Sequence, residues 1–89
     1  MYVVMERAVG AKHRPTGMEA EYAEITALAA AVRAARKRHA LTQADLAGLA
    51  GVSLGFLIAL EGGKPTVALN KVVQVIAALG LRLSVSQAQ

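Results

Sequence analysis

Residues 43–62 read QADLAGLAGVSLGFLIALEG, and the spacing within this stretch decides the fold. Ala47 is small where two helices must cross closely, and Gly51 falls where the chain must turn sharply between them. Leu46, Val52, Leu57 and Leu60 supply the apolar side chains that lock a second helix onto a first. This is the pattern of a helix-turn-helix, a unit that lays its second helix in the major groove of DNA.

Working outward, Thr42 is a good N-cap for a helix over 43–50, with Asp45 at its third position, and Gly51 ends it. Ser53 caps the next helix, which stops at Gly62-Gly63. Lys64-Pro65-Thr66 reads as a loop, because proline keeps its predecessor out of the helical region. A further helix over about 69–79 should bury Leu69, Val72, Val73, Ile76 and Leu79, with Gly80 as its stop. Upstream, Ile25, Leu28, Ala29, Val32 and Ala35 recur at helical spacing up to about His39. That first helix begins near Gly17, where Thr16 and Glu19 match a capping box, or only at Thr26.

After Gly80 the period changes. Leu81, Leu83 and Val85 alternate with Arg82, Ser84 and Ser86, the spacing of a half-buried strand. So short a strand needs a partner. The favoured one is its own copy in a second subunit, which makes Leu81, Leu83 and Val85 the expected dimerisation residues; pairing with Tyr2 to Met5 is the alternative. The expected architecture is mainly α: an N-terminal arm over 1–23, a four-helix domain over 24–80, and a strand and tail over 81–89.

Composition bounds the function. Eighty-nine residues make one domain with one modest core, so a partner subunit is a reasonable expectation. The apolar fraction is 55% but aromatics only 3%, and alanine is the commonest residue, which favours close-packed short helices. The absence of cysteine removes disulfides and thiolate chemistry, and fits a reducing cytoplasm. Glu6 and Arg7 interrupt the first apolar residues before a signal peptide could form, and the apolar run 72–81 is too short to span a membrane. The chain is therefore expected to be soluble and cytoplasmic. A net charge of +4, with Arg33, Arg36, Lys37 and Arg38 crowded together, suits a polyanionic partner.

The run LTQADLAGLAGVS followed by LEGGK, residues 41–64, strongly resembles the lambda-repressor-like (Xre) helix-turn-helix family. The continuation GGKPTVALNKVVQVIAALGLRL, residues 62–83, resembles its HipB-type antitoxin branch. The resemblance implies a homodimer that binds double-stranded DNA at a palindromic operator, represses its own operon and partners a HipA-type kinase toxin. It implies that Gln43 touches the DNA backbone or a base edge, that Lys64 and Lys71 approach phosphates, and that Arg36 and Glu61 form a structural ion pair. Backbone N–H groups near Leu69 and Asn70 could join the phosphate contacts.

At about 100° per residue, Phe56, Leu57 and Leu60 point inward and Leu54, Gly55, Ile58 and Ala59 point away. With Thr42, Gln43, Ser53, Lys64 and Lys71 they make the expected DNA-facing set. That face lacks the arginine, lysine, asparagine and glutamine forks of direct readout. Three readings follow: Leu54 and Ile58 pack on thymine methyls, specificity comes from DNA shape and dimer spacing, or the face binds protein.

Other chemistry is set aside. Gly62-Gly63-Lys64-Pro65-Thr66 lacks the upstream glycine and preceding strand of a phosphate loop. His13 and His39 have no carboxylate or thiol at ligand spacing, so no metal or cofactor is expected. Glu19, Glu21 and Glu24 read as a solvated helix start, and Ser53 has no histidine to activate it. An enzyme is not expected. Residues 1–16, with Lys12, His13 and Arg14, suit an accessory arm in the minor groove or against a toxin.

Overall fold

A computed structural model describes residues 2–4 (backbone only) and 16–87. The order is β1 (Tyr2–Val4), α1 (Gly17–Arg38), α2 (Gln43–Ala50), α3 (Leu54–Glu61), α4 (Leu69–Ala78) and β2 (Arg82–Ser84). Expectations resting on residues 5–15, including the basic arm, lie outside the described residues.

The long helix α1 starts at Gly17, the earlier of the two starts that the sequence allows, and so reaches back beyond the domain boundary expected at residue 24. The Thr16 hydroxyl accepts the Glu19 N–H at 3.1 Å and so supplies the start signal. Three acids follow in the first two turns, and Arg36, Lys37 and Arg38 fill the last, which suits the helix dipole at both ends. Ala29, Val32 and Ala35 form the buried stripe.

Leu46, Ala47 and Ala50 of α2, Leu57 and Leu60 of α3, and Val72, Val75, Ile76 and Leu79 from α4 and its C-cap close the core against Val32 and Ala35. Leu28, Leu41, Val52, Phe56, Leu81 and Leu83 pack at its edge. Two of the side chains expected in α4 are not inside: Leu69 and Val73 are exposed, and Val75 is buried instead. The inward stripe runs 72, 75, 76, 79. Val73 lies about 100° round from Val72, on the flank, and Leu69 sits in the first turn at the margin of the packed layer.

β2 pairs in parallel with β1 of the same chain, matching Tyr2 with Arg82, Val3 with Leu83 and Val4 with Ser84. This is the partner the sequence left as the alternative. Two strands make up the sheet, so the second edge of β2 meets no strand among the described residues. Leu81 and Leu83 are half-buried, whereas Val85 lies beyond the strand and is exposed. Among the described residues, no single helix is long and apolar enough to cross a membrane.

Candidate nucleic-acid interface

The α2–α3 unit is built by local signals. The Thr42 hydroxyl accepts the Asp45 N–H at 3.0 Å, and the Asp45 carboxylate accepts the Thr42 N–H at 3.0 Å, closing a capping box. Gly51 ends α2 at φ 73°, in the left-handed region where a side chain is strained, while the next N–H, of Val52, reaches back to the Ala47 carbonyl at 3.0 Å. The Ser53 hydroxyl then accepts the Phe56 N–H at 3.0 Å and starts α3. At this turn the chain bends by 114°, within the range of helix-turn-helix units.

The capping box has a pH consequence. The Thr42 backbone N–H, and then its hydroxyl, hold the Asp45 carboxyl below its ordinary pKa. A carboxyl whose pKa is lower folded than unfolded stabilises the fold above its unfolded pKa, and that contribution disappears as pH falls through the folded value. Asp45→Asn should therefore lower the melting temperature most near neutral pH and least in acid, so that part of the acid limb of a thermal-melt series below about pH 4, the ordinary Asp range, is flattened. Melting temperatures recorded from pH 2 to 7 check this.

The far end of α3 is fixed by a buried charge. Glu61 is 5% exposed. Arg36 grips it with one edge of the guanidinium through two parallel bonds: Nε donates to Oε2 at 2.7 Å and Nη2 to Oε1 at 3.0 Å. The remaining Arg36 nitrogen, Nη1, donates to the Leu41 carbonyl at 2.9 Å, and Arg33 Nη1 donates to the Glu61 backbone carbonyl at 3.0 Å. The hydrogen bond to Glu61 is the main cause of a raised Arg36 pKa, against an opposing effect of burial. No buried side-chain polar atom among the described residues lacks a partner.

Gln43 belongs to this cluster. Its Nε2 donates to Glu61 Oε1 at 3.2 Å, so one of its two amide N–H groups is committed within the domain. The hydrogen bonds of Gln43 and Arg33 to Glu61 went unread in the sequence. The only hint was a single glutamate closing an otherwise apolar helix, with two arginines one turn apart on α1.

The outer face of α3 carries Leu54 at 44% and Ile58 at 49% exposure, with Gly55 exposed and Ala59 half-buried beside them. Thr42 and Ser53 are exposed at the two helix starts, their oxygens accepting caps while the hydroxyl protons remain available. Lys64 is exposed in the loop after α3. Lys71 extends from the first turn of α4, with Nζ 5.8 Å from the centre of the Phe56 ring. Leu69 and Asn70 are exposed at the same helix start, and Ala68, at the cap position, makes no side-chain cap there. Leu81, Leu83 and Val85 stand apart from this face, on and beside β2. No group of three His, Cys, Asp or Glu that could hold a metal occurs among the described residues.

No protein-family model matches the sequence. A curated relative does: an uncharacterised HTH-type transcriptional regulator, y4mF, of Sinorhizobium fredii (strain NBRC 101917 / NGR234). It is 47% identical over 58 residues, which span 65% of this chain and 76% of the relative. With two capped helices hinged at a left-handed glycine and a relative of that identity over most of its length, the chain belongs to the HTH-type transcriptional regulators.

Proposed function

We propose that the protein is a sequence-selective DNA-binding repressor, of the Xre/HipB kind, acting as a homodimer on a palindromic operator in its own promoter. The observation that carries this is α3: it is held at both ends, yet its outer face stands free, flanked by Lys64 and Lys71. Lys64, Lys71 and the uncapped start of α4 hold phosphates, as does the basic end of α1. Leu54 and Ile58 meet the groove, where apolar contact with thymine methyls favours A·T steps. The unpartnered edge of β2, with exposed Val85, joins two protomers so that their α3 helices sit about 34 Å apart. An antitoxin role toward a HipA-type kinase toxin is the finer part of this reading and rests on the resemblance of residues 62–83.

The absence of any hydrogen-bonding fork on the outer face of α3 favours one second reading, in which that face binds protein. Gel shifts against DNA upstream of the gene and a shuffled control, at two salt concentrations, separate the two. Tight binding to the upstream DNA alone is expected. Leu54→Arg should strengthen it or change base preference; if instead neither DNA binds and Leu54→Arg abolishes a protein complex, the second reading holds. Lys64→Ala and Lys71→Ala should each lower the log–log salt slope by about 0.9.

A further inference from the structure

Gly55 is a residue of α3 that the chain's own fold does not call for. Its backbone stays out of the left-handed region that Gly51, Gly63 and Gly80 occupy. A methyl group built on its Cα would meet no atom of another described residue within 4 Å, its chain neighbours and its own helix backbone aside. Alanine is also the better helix former. What keeps this position bare therefore lies outside the chain, in a partner whose surface comes close to the helix.

Helical geometry puts Gly55 at the middle of the exposed side. At about 100° per residue, the buried Leu57 and Leu60 lie about 160° and 140° round from it. Ile58 and Leu54 stand about 60° and 100° to one side, and Ala59 about 40° to the other. Leu54 and Ile58 are exposed and Ala59 is half-buried. The outcome is a shallow notch with Gly55 and Ala59 as its floor and Leu54 and Ile58 as its wall. None of these four side chains can make a hydrogen bond. Outside the notch the exposed Lys64 and Lys71 favour a polyanion over an apolar protein surface. In the major groove, the apolar group that a base edge presents is a methyl on a pyrimidine C5, as in thymine. Cytosine presents the same group once it is methylated at that carbon.

We propose that Gly55 is a specificity-determining residue, and that the notch over it seats the C5-methyl group of one pyrimidine in each half-site. This rests on the DNA-binding reading above and specifies it. Because its side chains offer no hydrogen bond, the notch selects the methyl and not the base. Thymine and 5-methylcytosine are then equivalent to it, while uracil and unmodified cytosine are not. Methylation of a cytosine at that position raises affinity, which couples binding to the modification state of the DNA.

Fluorescence anisotropy on the full chain tests this, with DNA upstream of the gene as the probe, made with thymine or with uracil in its place. Uracil keeps every hydrogen-bonding group of thymine and lacks only the methyl. Wild type should lose about fourfold in affinity for each seated methyl that is removed. Single uracil substitutions then locate the position, where cytosine should also bind weakly and 5-methylcytosine should recover the loss. Gly55→Ala should melt no lower than wild type, bind the thymine probe more weakly and no longer tell thymine from uracil. Gly48→Ala, in α2 and equally open, should keep the full discrimination. The comparison of bases on wild type needs no variant, so it decides the matter even if Gly55→Ala does not fold. Selective binding of the upstream DNA with equal affinity for its thymine and uracil forms overturns this proposal and leaves the repressor reading standing. A folded Gly55→Ala that still discriminates, or 5-methylcytosine that binds no better than cytosine, overturns it too. No binding to any of these probes overturns both readings.

Discussion

Arg36→Ala is expected to destabilise the fold by roughly 3–5 kcal/mol, the usual result of stripping the partner from a buried charge. Small domains are stable by only about 5–15 kcal/mol, so this one change brings the protein close to unfolding. The size follows from what is left behind. Glu61 would keep the amide of Gln43 but lose both guanidinium hydrogen bonds, in a place where water cannot replace them. Leu41 would lose a partner for its carbonyl as well. Lysine in place of Arg36 should recover only part of the loss, since an ammonium cannot make the two parallel bonds. Replacing both partners together, as Arg36→Met with Glu61→Leu, should be far milder than either deletion, because no charge is then stranded. Chemical denaturation of the four proteins checks this; a small effect of Arg36→Ala would mean that water reaches Glu61.

Leu57→Ala should cost about 2–5 kcal/mol, the range for a leucine removed from a packed interior. Leu57 is fully buried and sits on the inner side of α3, against the side chains that α1, α2 and α4 bring to one centre. Its neighbour Ile58, one residue on and turned outward, makes the control: Ile58→Ala should leave the denaturation midpoint nearly unchanged while altering DNA binding. The pair therefore separates what holds α3 from what α3 presents. Equal destabilisation by both would place Ile58 in a packed interface and favour a protein partner on that face.

The helix-turn-helix was legible because its limits are written in single residues. Thr42, Gly51 and Ser53 each act on the backbone next to them, so their effect does not depend on the rest of the chain. The outward turn of Leu54 and Ile58 followed likewise from helical geometry alone. Legibility ended where several elements converge. In α4 the run VVQVI offers more apolar positions than one helix face can bury, and only the position of the neighbouring helices selects Val75 over Val73. Gln43 and Glu61 are far apart in sequence, and no spacing rule connects the start of one helix to the end of the next. The ion pair itself came from the family resemblance, not from the residues. The partner of β2 stayed open for the same reason, because a half-buried alternation specifies a face and not the strand beside it.

The β1–β2 pairing has a kinetic side. It joins the two ends of the described chain, so forming it closes a loop that contains every helix. Closure over so long a loop adds little more entropy loss than over a shorter one, about 0.6 kcal/mol per doubling, but only three residue pairs reward it. The helices, tied by local contacts, can assemble without it, and the strands zip last. In the folded protein the order reverses: this seam parts first, while the helical body and the face of α3 stay whole.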